Sequence, residues 1–308
     1  MAPRTVSAAP TVSVVMPTFN RLKYLRAAIA SVHAQSFGDW ELIVVDDDSD
    51  EHTLRFLRSS ADSRTTLLRG AHVGNPAALR NRGLAIARGD YVAFLDSDDQ
   101  WRDDKLARQV ALLRSAPKCR WSYTAVRRID GAGRVIAGSS APWVAHSGAI
   151  AERVLRIDAQ IATPSVMAEL AFVRELGGFD EQLRFCEDYD LWARMALRSE
   201  VSVDPEPSAD VRSHDEHFTF DRGGRLGGWA AFYAKMERLV PTPELRALCR
   251  RHRREYVLLL AAQQARVRDW VGMRRSLGTA VRERAWSPRG WLRIAKAAAL
   301  PAELSSAT

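Results

Sequence analysis

Three carboxylates stand within four residues at Asp96-Ser97-Asp98-Asp99, directly after an apolar run at 91–95. A run of that length reads as a buried parallel strand. Carboxylates crowded at a strand tip repel one another, and a divalent cation is the usual means of offsetting that charge. In open α/β sheets ligands bind at the carboxyl ends of the strands, where these residues would lie. The same residues also suit a solvated turn, with Asp99 capping a helix that starts near Arg102. The Asp-x-Asp pattern alone does not choose between the two. A second acidic cluster, Asp46-Asp47-Asp48-Ser49, follows another apolar run at 41–45. Parallel strands share a carboxyl end, so both clusters converge on one crevice. That convergence favours a metal-dependent nucleotide site.

The elements that must position these clusters alternate in the first hundred residues. Strands are expected at 12–16, stopped by Pro17, and at 41–45, 66–68 and 91–95. Helices are expected at 22–34, with Asn20 as N-cap, at 51–58, and at 76–87, closed by Gly89. Strand and helix in alternation give a parallel sheet with helices on both faces. Further on, the pattern predicts a helix at 105–115 and strands at 121–126 and 134–137, joined by Asp130-Gly131-Ala132-Gly133. A short strand at 164–168 precedes the turn Gly177-Gly178. A helix then begins near Glu187, with Glu187, Asp188 and Asp190 in its first turn. Acidic residues there also compensate the helix dipole.

The chain has 308 residues, 46% hydrophobic and 27% charged, which implies globular folding around a sizeable core. No run of about 18 apolar residues could span a membrane, and the N-terminus lacks the apolar centre of a signal peptide. Cys119, Cys186 and Cys249 are odd in number and far apart, which argues against disulfides and a metal cluster and for a reducing cytosol. The net charge of +8 is uneven: 241–296 hold 14 Lys and Arg against 4 Asp and Glu, a local +10. This basic tail reads either as a platform for a membrane surface or an acidic acceptor, or as a helical lid whose solvent face is arginine. The expected divisions are a lead at 1–10, an α/β domain at 11–225 and a basic helical extension at 226–308. The expected location is cytoplasmic, with peripheral contact at the inner membrane face through the tail.

Four stretches, VSVVMPTFNR (12–21), WELIVVDDDSD (40–50), NPAALRNRGLAIARGDYVAFLDSDD (75–99) and GGFDEQLRFCEDYDLWARM (177–195), occur in the order and spacing of a known family. The chain resembles the family 2 glycosyltransferases, inverting enzymes of the GT-A fold. The resemblance implies transfer of a sugar from a nucleoside-diphosphate sugar, UDP-linked first, assisted by Mn²⁺ or Mg²⁺. It places Asp98 on the metal and Asp96 on the ribose or the metal, and brings His214 near the metal or diphosphate. It puts Asp46 on the nucleobase, Pro17 and Thr18 along the base and ribose pocket, and Arg80 facing the nucleotide. Asp188 matches the general base, and Glu187 would contact the acceptor or the sugar. Asp48 departs from the family's usual glycine. Asp99 is expected as a helix cap, Asp47 as a turn residue, Arg82 and Arg88 on a solvated face, and Cys186 in packing. The acceptor could be a saccharide, a lipid-linked sugar, a peptide or a natural product. A nucleotidyltransferase would want glycine in PTFNRLKY. A dinucleotide-dependent oxidoreductase would want Gly-x-Gly-x-x-Gly there. A nucleic-acid-binding role would leave the carboxylates unexplained, so no nucleic-acid partner is expected.

Overall fold

The computed structural model describes residues 9–136, 143–214, 222–285 and 287–299. Most of the expected lead, the end of the expected 134–137 strand, His217 and Trp286 lie outside the described residues. The chain forms two compact units, 1–181 with 191–215, and 182–190 with 216–308.

The first unit opens with β1 (Val12–Thr18), α1 (Leu22–His33), β2 (Trp40–Asp46), α2 (Glu51–Ser60), β3 (Thr65–Arg69), α3 (Pro76–Ile86) and β4 (Tyr91–Phe94). It continues through β5 (Gln100–Trp101), α4 (Lys105–Ser115), β6 (Cys119–Ile129), α5 (Ala151–Arg156), β7 (Met167–Glu169) and α6 (Leu170–Glu175). Next come α7 (Glu187–Ala196), whose first residues belong to the second unit, and β8 (Glu200–Arg212). The sheet order is β3-β2-β1-β4-β7-β6-β8-β5. The first four strands are parallel, and β7 then runs antiparallel to both β4 and β6.

Alternation along β1 explains why helices cover both faces. Val12, Val14 and Met16 share a core cluster with Leu25, Ala28, Ile29 and Val32 of α1 and with Leu106, Val110 and Leu113 of α4. Val15 points the other way, against Gly83 of α3, where an added Cβ would lie 2.5 Å from its methyl. On that face Ser13 Oγ donates to Glu41 and accepts the N–H groups of Arg88 and Gly89. The Arg88 guanidinium pairs with Glu41 at 2.8 Å, so Arg88 does more than cover a solvated face. Truncating a fully buried leucine such as Leu25 would cost about 2–5 kcal/mol.

Three local readings differ from expectation. Asn20 does not cap α1; Arg21 occupies that position without a side-chain cap. Asn20 instead turns at φ +49°, and its Oδ1 accepts the N–H of Asp50 at 2.8 Å, tying the exit of β1 to the start of α2. Of the expected 134–137 strand, the described residues show an isolated bridge between Val135 and Ile129. Thirteen-residue β8, with Pro205, Pro207 and four acidic side chains, has no counterpart among the expected elements. It pairs with β6 in parallel through irregular register, which accommodates the prolines.

Lys105 is buried in the same unit, its ammonium donating to Gln109 Oε1 and lying 4.4 Å from the Trp101 ring centre. Gln109 Nε2 passes the network on to Ser122 Oγ and the Ser165 carbonyl, each at 3.0 Å. Burial pushes the Lys105 pKa down to about 7.

The second unit comprises 182–190 and the helices α8 (Arg222–Leu239), α9 (Pro243–Arg266), α10 (Trp270–Arg282) and α11 (Pro288–Ala299). Helix α9 is its centre and touches the other three. Thr242 caps it by accepting the N–H of Leu245, with Pro243 at the first helical position. Val257, Leu258 and Ala261 of α9 meet Ala280, Ala285 and Ile294 in a small apolar core.

Candidate functional site

Strand register builds one edge of the site. Thr18 pairs with Asp46, and Asp46 with Arg69, so three strand ends present hydroxyl, carboxylate and guanidinium in a row. Asp46 is fully buried; its Oδ2 accepts the Ser49 N–H at 3.1 Å and lies 3.7 Å from Arg69 Nε. Asp46 Oδ1 and Thr18 Oγ1 are sealed from solvent, and neither has a hydrogen-bond partner among the described residues. Buried polar atoms are ordinarily satisfied, so two orphans side by side mark a place where a ligand can bond. Pro17, also buried, adjoins them opposite Val45.

Asp47 and Asp48 serve the turn. The Asp47 carboxylate accepts the N–H groups of Val73 and Gly74 and meets His72 at 2.8 Å, which pins the loop leading into α3. Asp48 holds φ +68°, a left-handed conformation in which glycine is unstrained, and pairs with Arg69 at 2.7 Å. Its backbone accounts for glycine being the family's usual residue.

The second cluster follows β4, whose Phe94 pairs with Val15 of β1. Asp96 Oδ1 accepts from Arg80 at 2.7 Å; Arg80 is buried, and its guanidinium lies 5.3 Å from the Phe179 ring centre. Asp98 Oδ2 is 3.0 Å from His214 Nε2. Arg21 Nη1 lies 3.5 Å from the same nitrogen. His214 is buried rather than a surface residue and stacks on Tyr24 at 4.6 Å.

Asp99 corrects the expectation of a helix cap. α4 begins at Lys105, and Asp99 is buried, accepting the Arg212 N–H at 2.8 Å. Burial, then repulsion from Asp98 and Asp96, holds its carboxyl well above the usual range, with Arg212 opposing. Arg212 also donates to the Asp98 carbonyl at 2.8 Å and to the Asp130 carbonyl at 3.0 Å. Sequence reasoning missed Arg212. The available signal was the need for positive charge near three carboxylates, which a buried arginine can meet as well as a divalent cation.

Among the described residues, no three His, Cys, Asp or Glu side chains gather closely enough to hold a metal by themselves. The donors nevertheless fit a small hard cation. Asp96 and Asp98 each engage one oxygen with the protein and keep the second for another partner. Mg²⁺-type ions are commonly held by one or two carboxylates together with substrate phosphates.

Glu187 and Asp188 lie in the second unit, on the first turn of α7. Cys186 precedes them at φ +63°. Asp188 Oδ1 accepts the Tyr189 N–H at 2.8 Å, and both carboxylates remain partly exposed. Within this unit Asp190 is buried and paired with Lys235 at 2.7 Å, Tyr189 meets Trp229 edge-on at 5.1 Å, and Gly228 lies against Phe185. Burial, with Asp188 and Glu187 adding to it, pushes the Cys186 thiol far up, which disfavours a thiolate nucleophile.

The parallel β3-β2-β1-β4 core, extended by antiparallel strands and carrying acidic clusters at its carboxyl edge, is the GT-A arrangement. S. aureus TarS 1–349 in complex with UDP-GlcNAc shares it at 16% identity and TM-score 0.70, over 94% of this chain and 89% of that one. So does the mannosyltransferase PcManGT from Pyrobaculum calidifontis in complex with GDP-Man and Mn²⁺, at 18% identity and TM-score 0.62, over 97% of this chain and 83% of that one. Such identities establish the fold alone. Residues 13–142 match the model of glycosyl transferase family 2, so this stretch of the chain carries that family's domain. The UDP-Glc:alpha-D-GlcNAc-diphosphoundecaprenol beta-1,3-glucosyltransferase WfgD of Escherichia coli is 40% identical over 102 residues, 33% of this chain and 40% of that protein. The alignments with the first three curated relatives span 40%, 32% and 46% of their lengths.

Proposed function

We propose that the protein is an inverting glycosyltransferase that moves a sugar from a UDP-linked donor to an acceptor hydroxyl. One observation carries the donor reading: the buried, unpartnered Asp46 Oδ1 beside the unpartnered Thr18 Oγ1. An ionised carboxylate can accept the N3–H of uracil, and the neighbouring hydroxyl suits the ribose. The names of relatives and neighbours support a nucleotide-sugar donor: UDP-Glc for the E. coli relative, UDP-GlcNAc and GDP-Man for the solved structures. Nothing in these likenesses favours a nucleotidyltransferase or a nucleic-acid-binding protein.

Asp98 and Asp96 would hold a Mn²⁺ or Mg²⁺ ion, which when bound supplies positive charge to the departing diphosphate. His214 and Arg80 hold those two carboxylates in place, and the Arg80 charge faces the nucleotide. Asp188, in the motif's Glu187-Asp188 pair, takes the proton of the acceptor hydroxyl as that oxygen attacks the anomeric carbon. The sugar–phosphate bond breaks on the opposite side, so an α-linked donor yields a β-glycoside. Glu187 orients the acceptor or the sugar.

The E. coli relative's name gives a sugar-diphospholipid acceptor, which makes a lipid-linked saccharide the first acceptor class to test. Peripheral contact with an anionic membrane through the basic tail fits that acceptor. Among the described residues no helix is long and apolar enough to cross a membrane. A thermal-shift screen of UDP-, GDP-, CDP- and dTDP-sugars, with and without Mn²⁺, tests the reading. Metal-dependent stabilisation by UDP compounds is expected. Stabilisation by none of them, or by another nucleotide class alone, would overturn it.

A further inference from the structure

The second unit contains a cleft of about 620 Å³, bounded by α9, by Arg284 and Ala285, and by Ser287 and the start of α11. That volume lies in the range of small-molecule sites, about 300–1,000 Å³. Six arginines line it, Arg250, Arg251, Arg254, Arg284, Arg289 and Arg293, with Glu255 as the single acid. Like charges on facing walls repel, and a folded protein ordinarily sets counter-charges between them. This unit does so nearby: Arg250 pairs with Glu237 at 2.8 Å, and Arg253 pairs with Glu237 and Glu283. The other five cleft arginines have no side-chain hydrogen bond or ion pair among the described residues.

Two details make this more than a solvated basic face. Arg254 is only partly exposed, and its Nε is sealed from water with no acceptor among the described residues, an arrangement that costs free energy until an acceptor arrives. The first turn of twelve-residue α11 opens onto the cleft at Ser287, Arg289 and Gly290, adding the positive end of a helix dipole. Leu258 and Ala285, both buried, form apolar parts of the wall. Apolar walls lower the local dielectric and strengthen any ionic contact made there.

We propose that this cleft binds a phosphate ester carrying two or more negative charges. Guanidinium groups match phosphate oxygens in bidentate fashion, and several converging forks suit a diphosphate better than a single charge. The cleft lies wholly in the second unit, and the proposal stands independently of the sugar-transfer reading. A phosphorylated acceptor and an anionic lipid headgroup present the same chemistry.

The test is isothermal titration of the full chain with inorganic pyrophosphate in EDTA, which keeps divalent ions away from the carboxylate crevice. Saturable binding that weakens with added salt is expected. Arg254→Gln with Arg289→Gln should weaken it by about tenfold or more while leaving UDP–Mn²⁺ binding at the parent level. Arg251→Gln with Arg293→Gln, both at exposed positions, repeats the test should the first pair fail to fold. Pyrophosphate bound equally by parent and variants, or not bound by the parent, would overturn the proposal. Co-sedimentation with phosphatidylcholine vesicles containing a quarter phosphatidylglycerol identifies the source. Pelleting of the parent and not the variants assigns the site to a lipid headgroup. Failure of the parent to pellet, with pyrophosphate binding intact, assigns it to a soluble or acceptor-borne phosphate.

Discussion

Replacing Asp46 by asparagine separates nucleotide recognition from folding. The carboxylate spends Oδ2 on the Ser49 N–H at 3.1 Å and leaves Oδ1 buried without a donor. Asparagine keeps the shape but offers one oxygen and one amide NH₂. With its oxygen on the Ser49 amide, the NH₂ faces the base and meets the uracil N3–H, donor against donor. Flipped, it sets the NH₂ against the Ser49 N–H. Either way one charge-assisted hydrogen bond is lost, worth about 1.5–3 kcal/mol. That corresponds to UDP binding weaker by roughly 10- to 150-fold. CDP should behave differently, because cytosine N3 is an acceptor that the new NH₂ can serve, so the ratio of UDP to CDP affinity should fall. In the ligand-free protein the substitution removes a buried charge that has one clear donor, so thermal stability should hold or rise. Calorimetric titration with both nucleotides in Mn²⁺, paired with thermal unfolding of the free protein, reads all three effects. UDP affinity within twofold of the parent would refute the base contact. A large loss of stability with the UDP:CDP ratio unchanged would make Asp46 a turn residue.

Asp98→Ala should abolish the metal-dependent part of UDP stabilisation in thermal unfolding; a variant that still binds UDP–Mn²⁺ like the parent would move the metal elsewhere. Asp188→Asn should bind UDP–Mn²⁺ normally yet lose about 10²-fold or more of transfer, and transfer at the parental rate would pass the base role to Glu187. Lys105 gives a pH prediction whose sign follows from its lowered pKa. Between about 7 in the folded protein and its ordinary 10.5, the unfolded chain binds a proton that the folded one does not. Stability from this group therefore rises with pH across that window. Relative to Lys105→Met, the parent should gain up to about 1.4 kcal/mol per pH unit above pH 7; parallel denaturant-unfolding stabilities would show that the ammonium is solvated.

The first hundred residues were legible because buried parallel strands are uninterrupted apolar runs, and here each ends in a chemical marker: Pro17-Thr18, Asp46-Asp47 or Asp96-Ser97. The carboxyl-end rule then brought the clusters at Asp46 and at Asp96 and Asp98 to one edge, and the family resemblance added Thr18, which the structure pairs with Asp46. What escaped depends on pairings distant in sequence. Asp99 reads locally as a cap, and only its bond to Arg212, 113 residues on, shows otherwise. β8 is stabilised by β6 and bulged register rather than by its own composition. Six-residue α5 and α6 are too short for helical periodicity to emerge. The grouping of 182–190 with the last helices rests on contacts such as Asp190 with Lys235, which no local pattern announces.

That last feature bears on how the second unit could be exchanged between related chains. A chimera cut once, near residue 216, would keep Asp190, Tyr189 and Phe185 from one parent and meet Lys235, Trp229 and Gly228 replaced by the other's residues. A buried carboxylate would then lose its cation. Any residue larger than glycine at 228 would bring a Cβ within 2.6 Å of the Phe185 side chain. Recombination that respects the fold must exchange two separate stretches, 182–190 and 216–308, as one inheritable block. The motif carrying Glu187 and Asp188 would travel with the C-terminal helices, even though its sequence neighbours on both sides stay behind.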